Sequence, residues 1–232
     1  MQIDIWSDIR CPFCYIGKRK FEIALEKFVH KNEVEVIWRS FQLDPTLKTQ
    51  TDISLYDYFA QRKGFSRQQA IQMNNNVTQI AKEVGLDFHL DKAVVANSFN
   101  AHRLIQLAKT KELGDEAEEQ LFKAYFAESK NIDDTAILVE TGIAAGLDEK
   151  EVREMLASDA FAKAVKTDEL AAHEIGVRGV PFFVFDNKYA VSGAQSSDVF
   201  LQALEKSWET FEKEDALITA EGEACAADRN CN

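Results

Sequence analysis

The sequence predicts an α/β fold in which a small domain that contains the β-strands is interrupted by a helical insertion. Strand-like segments occur near both ends of the chain, at residues 2–6, 33–41 and 180–194. Between them, residues 53–172 contain no proline and show helical periodicity broken by glycines or short polar segments. A chain of 232 residues is long enough for one such domain with an insertion.

The N-terminal segments predict a strand, a helix and a second strand. Residues 2–6 alternate apolar and polar side chains, which is typical of a strand. Apolar residues then recur at helical spacing up to about residue 30, with charged residues on the other faces. Residues 33–41 are rich in β-branched and aromatic side chains, and Pro45 ends this second strand.

The C-terminal part predicts two short strands joined at "DNK" and then a capped helix at residues 196–213. The last residues are acidic and small and present no apolar face. We therefore predict three segments: a strand-containing domain (1–48 and 173–213), an inserted helical domain (49–172) and a flexible tail (214–232).

Charge and hydropathy exclude several classes of partner. The chain has 39 acidic and 27 basic residues, a net charge of −12, which argues against nucleic acid as a partner. The N-terminus has no apolar signal region, and no apolar run approaches the ~20 residues of a membrane span. We expect a cytoplasmic protein that does not bind membranes. In that reducing compartment, four cysteines favour redox chemistry or metal binding over structural disulfides.

The segment "SDIRCPFCYIGKRKFE" places Cys11 and Cys14 where the first strand ends and the first helix begins. The positive end of the helix dipole favours the thiolate of Cys11. Cys14 lies one turn into the helix, close enough to attack a mixed disulfide on Cys11. Pro12 suits the first turn, where no backbone N–H is required. The pair therefore predicts thiol–disulfide exchange.

Two alternatives to redox chemistry remain open at this stage. Zinc binding would pair Cys11 and Cys14 with the second pair, Cys225 and Cys231. The second pair has a different spacing and the four histidines are scattered, so we expect no metal site. The other alternative is two inert buried thiols.

The segment "GVPFFVF" places Pro181 at the start of a strand. A cis bond between Val180 and Pro181 would form a tight turn able to face the cysteines. It would leave the Val180 backbone free to pair with an extended substrate. A trans proline that opens a strand is the alternative that bond statistics favour.

Four segments together resemble the DsbA-like thioredoxin-fold proteins, in particular the FrnE-like branch of dithiol oxidoreductases and 2-hydroxychromene-2-carboxylate isomerase-like proteins. The segments are "SDIRCPFCYIGKRKFE", "SFQLDP", "NSFNAHRL" and "GVRGVPFFVFDNKYAVSGAQ". They occur in the family's order, and the resemblance covers residue 2 to about residue 213. It implies a thioredoxin fold interrupted by a helical insertion domain.

The resemblance also implies roles for individual residues. Cys11 corresponds to the attacking thiol and Cys14 to the resolving thiol, and the Val180–Pro181 bond to a cis-proline loop beside them. Substrate-binding positions are expected at Pro12, Phe13, Val180 and Pro181. Expected partners are proteins with disulfides or dithiols, or small thiols, and no cofactor is required.

A glutathione-dependent isomerase or kappa-class transferase is the alternative function within the same architecture. Those relatives use glutathione and have serine where Cys11 stands, so the Cys11–Cys14 pair favours disulfide exchange. Glutathione is retained as a candidate co-substrate, because it would dock at the proline loop.

Three further features have less specific readings. Asp8, the acid nearest to the cysteines, is either a proton relay or a turn-capping residue. His102, with Arg103, lies on a predicted helix, where a lone histidine is more often packed or exposed than catalytic. Cys225 and Cys231 are either an auxiliary or regulatory redox pair or two incidental thiols.

Phe13 yields a prediction about the redox potential. An aromatic ring between the cysteines donates no hydrogen bond or charge to the thiolate, unlike the histidine of the DsbA oxidases. Less stabilisation of the reduced form predicts a potential of about −200 to −270 mV by redox titration against glutathione. The Phe13→His variant should be more oxidising. A wild-type value near about −120 mV would contradict the argument.

Overall fold

The structure, a computed structural model, describes the backbone of residues 1–229 and the side chains of residues 1–62 and 64–213. The four strands are β1 (Gln2–Ser7), β2 (Glu35–Ser40), β3 (Phe182–Phe185) and β4 (Tyr189–Ser192). The α-helices are α1 (Pro12–Lys27), α2 (Leu55–Lys63), α3 (Arg67–Lys82), α4 (Phe99–Lys109), α5 (Gly114–Phe122), α6 (Thr135–Ala144), α7 (Glu149–Leu156), α8 (Ala162–Glu174) and α9 (Ser197–Arg229). Short 3₁₀ and π segments lie at Lys31–Glu33 and Lys123–Ala127.

The strands form one sheet in the order β2-β1-β3-β4. β1 pairs with β2 in parallel, and the other two pairs are antiparallel. Seven helices, α2 to α8, lie along the chain between β2 and β3. The predicted α/β fold with a helical insertion is therefore confirmed.

One face of the sheet is covered by α1 and α9. Alternation along the strands directs Ile5 and Phe183 to this face, where both are fully buried. The Phe183 ring lies 5.6 Å from that of Phe21 on α1 and 4.5 Å from that of Phe200 on α9. These aromatic contacts fix α1, which carries the cysteine pair, against the sheet.

The opposite face of the sheet is covered by α8. The indole Nε1 of Trp6 donates a hydrogen bond of 2.9 Å to the carbonyl oxygen of Asp168. Trp6 and Val184 form a second apolar cluster with Ala172 and Val177. The sequence analysis ends the inserted domain at residue 172, but α8 continues to Glu174. The contacts of α8 join it to the sheet.

The insertion is fixed to the rest of the molecule through α5. Lys18 of α1 is buried, and its ammonium group lies 3.1 Å from a carboxylate oxygen of Asp115 and 3.4 Å from one of Glu119. The same Asp115 accepts a hydrogen bond of 2.9 Å from the Trp38 indole on β2. A buried ammonium requires such partners, so α5 has a defined position over α1 and β2.

The predicted hairpin at "DNK" is present. Asp186 and Asn187 have φ values of 50° and 53°, the positive values that a type I′ turn has at its two central positions, and the Lys188 N–H donates to the Phe185 carbonyl oxygen at 3.0 Å. β3 and β4 pair on either side of this turn.

The predicted tail, residues 214–232, lies outside the described side chains, although the backbone of α9 is assigned through Arg229. The side chain of Cys225 and the whole of Cys231 are thus not described. Within the described part of the chain, no helix combines the length and apolar character needed to cross a membrane.

Candidate active site

The two cysteines occupy the first turn of α1. Cys11 is the N-cap residue, and Pro12 follows at the first helical position. The Cys11 backbone N–H donates to the carbonyl oxygen of Asp8 at 2.8 Å, and that of Cys14 donates to the carbonyl oxygen of Cys11 at 3.0 Å. The Cys11 sulfur therefore lies at the positive end of the helix, as the sequence predicts.

The two thiols have different environments. Both are free, with 5% of Cys11 and none of Cys14 exposed to solvent. Burial raises the pKa of the Cys14 thiol well above its usual value, and a hydrogen bond with Cys11 and the charge of Cys11 add to this effect. Cys14 therefore remains protonated behind Cys11.

The Val180–Pro181 turn lies directly against the cysteines. The Val180–Pro181 peptide bond is cis. The Cys11 Sγ lies 3.5 Å from the Val180 carbonyl oxygen, within reach for the thiol to donate a hydrogen bond. The fold therefore brings residues from the two ends of the strand-containing domain to one point.

Gly17 permits this close approach, and the sequence reasoning missed it. A Cβ atom at position 17 would lie 3.0 Å from Pro181 Cγ and 3.5 Å from the Ala194 Cβ. Any larger residue would push the proline turn away from α1. An isolated glycine inside an amphipathic helix is the sequence signal that indicates such a contact.

A cavity of about 530 Å³ opens beside Cys11. Pro12 and Phe13 line one side of the cavity, and Phe59, Met73 and Val77 of α2 and α3 line the other side. The Phe13 side chain is 41% exposed. The insertion thus supplies one wall of a mainly apolar cleft.

Asp8 holds the turn that precedes Cys11. It is fully buried, and its carboxylate accepts backbone hydrogen bonds from Leu43 at 2.8 Å and Arg10 at 3.2 Å. The His102 Nε2 atom lies 3.6 Å from Asp8 Oδ1. Burial alone would raise the pKa of Asp8, but His102, Arg10 and the Leu43 amide together lower it.

His102 is buried and paired with Asp8. Burial lowers its pKa, but the carboxylates of Asp8, Glu118 and Glu169 outweigh this effect, so that its pKa lies above its usual value. His102 therefore faces Asp8 inside the protein, where its protonated form is favoured more than in a free histidine, and it is not exposed in the cleft.

Glu118 forms a second buried acidic group that the sequence reasoning missed. Only 1% of Glu118 is exposed, and it accepts a hydrogen bond of 2.6 Å from the Ser7 hydroxyl. Burial raises the pKa of Glu118 to about 7, against the lowering effects of Ser7, His102 and Lys18. In the sequence, the burial of Glu118 is signalled only by its position on the apolar side of α5, one turn before Phe122.

Metal binding receives no support from the described residues. The part of the chain that the structure describes contains no group of three or more histidine, cysteine or acidic side chains placed to hold a metal ion. Cys225 and Cys231, the other members of the zinc alternative, lie outside the described side chains.

The buried Asp8–His102 pair yields a stability prediction. The contribution of His102 is fully present below about pH 6.5 and is lost as the pH rises through its raised folded-state pKa. The contribution of Asp8 is present above about pH 3.8 and is lost as the pH falls through its lowered folded-state pKa. Asp8→Asn should therefore lower the free energy of unfolding by about 3 kcal/mol in urea at about pH 5.5, and by less at about pH 9.

The exposed pair of His89 and Asp87, 3.6 Å apart, provides a matched control. Asp87→Asn should change the free energy of unfolding by less than about 0.5 kcal/mol at either pH. A loss in Asp8→Asn that does not vary with pH would assign the effect to the Leu43 and Arg10 amides instead.

Several known proteins resemble this chain in sequence or in fold. The probable DsbA oxidoreductase from Streptomyces coelicolor has a crystal structure that matches with a TM-score of 0.85 and 39% sequence identity, over 90% of each chain. The uncharacterized protein YwbO of Bacillus subtilis is 29% identical over 208 residues, 88% of this chain and 96% of YwbO. The cytosolic disulfide reductase DsbM from Pseudomonas aeruginosa shares the fold, with a TM-score of 0.64, 15% identity and coverage of 90% of this chain and 100% of DsbM.

Residues 2–205 match the family described as the DSBA-like thioredoxin domain. This match confirms the thioredoxin fold with a helical insertion and the DsbA-like resemblance stated above. The chain belongs to the DSBA-like thioredoxin domain family.

Proposed function

We propose that this protein is a thiol–disulfide oxidoreductase in which Cys11 is the nucleophile and Cys14 the resolving thiol. The observation that carries the proposal is the placement of Cys11 at the N-cap of α1, 3.5 Å from the Val180 carbonyl oxygen. The buried, protonated Cys14 lies behind it. Family membership supports an oxidoreductase role in general.

In the reducing direction, the Cys11 thiolate attacks one sulfur of a substrate disulfide. The other substrate sulfur leaves as a thiolate, and a mixed disulfide joins Cys11 to the substrate. Cys14 then loses its proton and attacks the Cys11 sulfur, which releases the second substrate thiolate. The enzyme ends with a Cys11–Cys14 disulfide, and the substrate has gained two electrons. The reverse sequence oxidises a dithiol.

The turn at Val180 and the cleft beside Cys11 account for substrate binding in this proposal. The Val180 backbone would pair with an extended segment that carries the disulfide, as strands pair at a sheet edge. Pro12, Phe13 and Pro181 would contact side chains next to the substrate sulfur. Expected substrates are proteins with disulfides or dithiols, or small thiols.

No metal or organic cofactor enters this scheme, because the cysteine pair itself stores the two electrons. A cytoplasmic location stays a prediction and would favour the reducing direction.

Substitution of the two cysteines tests the proposal. Cys11→Ser should abolish the acceleration that the protein gives to the reduction of insulin disulfides by dithiothreitol, because serine cannot form the mixed disulfide. Cys14→Ser should retain the first attack and accumulate a covalent mixed disulfide with the substrate. Turbidity of the released insulin chains and non-reducing electrophoresis measure the two results. Full activity of Cys11→Ser would remove the proposal.

The tail cysteines require a separate control. Each substitution is made in the natural chain and in a Cys225→Ser/Cys231→Ser background. Equal rates of insulin reduction in the two backgrounds would leave the tail pair without a redox role. A slower background would support an auxiliary dithiol.

Glutathione binding separates the proposal from the isomerase or transferase alternative. Titration calorimetry with glutathione, together with mass spectrometry of the cysteines, distinguishes the two. Saturable binding and turnover of an acceptor without oxidation of Cys11 would favour the alternative. A Cys11–glutathione mixed disulfide resolved by Cys14 would instead make glutathione a co-substrate of disulfide exchange.

A further inference from the structure

The cavity beside Cys11 contains a positive charge without a partner, and the following inference, which rests on the proposed function, concerns the substrate that this charge selects. Arg10 precedes Cys11 in the chain, and its half-buried side chain lines the cavity. Its Nε and Nη1 atoms are buried and have no hydrogen-bond partner. Within the described part of the chain, no carboxylate forms an ion pair with its guanidinium group. The charge next to the nucleophile is therefore uncompensated.

The two acids whose charges interact with Arg10 are already engaged elsewhere. The carboxylate of Asp8 accepts hydrogen bonds from two backbone amides and faces His102. Asp44, on the rim of the cavity, forms an ion pair with Arg62. Neither carboxylate is thus available to neutralise the guanidinium group.

Tyr125, a buried neighbour of Arg10, does not neutralise it either. Burial raises the pKa of the Tyr125 hydroxyl, and the charge of Arg10 opposes only part of this effect. The hydroxyl donates a hydrogen bond of 3.0 Å to the Val94 carbonyl oxygen. Tyr125 therefore stays neutral beside the guanidinium group.

The wall of the cavity that α3 forms supplies a second donor without a partner. Only 8% of Asn74 is exposed, and it lines the cavity. Its Nδ2 atom is buried and makes no hydrogen bond with the described residues. Buried polar groups in proteins are normally hydrogen-bonded. Two such donors around one cavity indicate a ligand that accepts hydrogen bonds and carries a negative charge.

We propose that the cavity binds an acidic side chain of a polypeptide substrate, next to the substrate's disulfide-bonded cysteine. Arg10 and Asn74 would donate hydrogen bonds to its carboxylate. A guanidinium group matches a carboxylate because its planar N–H groups donate to both oxygens at once. Binding of the carboxylate holds the neighbouring disulfide in front of Cys11, so Arg10 determines which disulfides react fastest.

The charges of the cavity favour a polypeptide over glutathione as the source of the carboxylate. Arg10, Asp44 and Arg62 are the charged residues among those described that line it. Because Asp44 and Arg62 pair with each other, the cavity offers one free positive charge and no free negative charge. Glutathione also carries a second carboxylate and an ammonium group, which would lack counter-charges here. A segment with one acidic side chain among apolar residues fits this charge and the apolar walls.

The experiment compares two peptide disulfides that differ in one residue. Each is a symmetrical disulfide of an apolar peptide with either glutamate or glutamine next to the cysteine. Dyes on the two halves quench each other, so fluorescence rises when the disulfide is reduced. The protein in the Cys225→Ser/Cys231→Ser background reduces each peptide with dithiothreitol as the electron donor. After subtraction of the uncatalysed rate, kcat and KM are obtained for both peptides.

In this background, kcat/KM for the glutamate peptide should exceed that for the glutamine peptide by about tenfold or more, mainly through a lower KM. In Arg10→Gln this ratio should fall to about one. Arg10→Lys, which keeps the charge but not the planar pair of donors, should retain part of the preference. Asn74→Asp places a carboxylate of similar size in the cavity and should also abolish the preference. The Asn74 variant tests the inference if Arg10→Gln does not fold.

Arg153→Gln is the matched control, because it removes the same charge from an exposed position on α7 that does not line the cavity. Its ratio between the two peptides should equal that of the wild type. A purely structural role for Arg10 would change the rates with both peptides by the same factor and leave the ratio unmoved.

Equal kcat/KM for the two peptides without the Arg10 substitution, or an unchanged ratio in Arg10→Gln, would overturn the inference and leave the proposed function intact. A preference found only for glutathione disulfide over its ethyl ester, and not between the peptides, would overturn the assignment to a polypeptide. Failure of the wild-type protein to accelerate the reduction of either peptide or of insulin would instead overturn the proposed function.

Discussion

The buried carboxylate of Asp8 is the constraint on which the active-site region depends. A charge without exposure to solvent must be compensated by hydrogen bonds or an opposite charge. Asp8 meets this need by binding the amides of Arg10 and Leu43 and by facing His102. These partners belong to the turn before the cysteines, the segment after β2, and α4 of the insertion. One carboxylate thus joins three segments that are distant in sequence.

The cysteine pair acquires different properties at its two positions because of where α1 begins. Cys11, at the N-cap, is next to the cleft and to the Val180 carbonyl oxygen, whereas Cys14 points into the protein. Gly17 lets the Pro181 turn lie against the helix one turn later. The asymmetry that a nucleophile and a resolving thiol require therefore follows from backbone geometry.

The helical insertion is part of the site. Its α2 and α3 form the outer wall of the cleft, and its α5 brings Glu118 under the sheet end that carries Ser7. The buried ammonium of Lys18 helps to fix the position of α5, because it pairs with two α5 carboxylates in addition to Glu22 on its own helix. Changes in the insertion would therefore alter the wall of the cleft beside Cys11.

The sequence by itself determined the fold class, the helical insertion and the cysteine pair at a helix start. These features depend on local periodicity, on proline and glycine positions and on residue spacing, which a single chain displays directly. The resemblance to DsbA-like proteins added the pairing of Cys11 with the distant Val180–Pro181 segment.

Only the tertiary structure decided that Glu118 is buried against the Ser7 hydroxyl and that Gly17 packs against the proline turn. In the sequence, Glu118 is one of several acidic residues on a charged helix. Its burial depends on how α5 packs over α1 and β2. The same holds for His102, which is a lone histidine in the sequence and lies buried 3.6 Å from the Asp8 carboxylate in the fold. Burial and long-range contacts arise from packing between segments, and no local pattern encodes them.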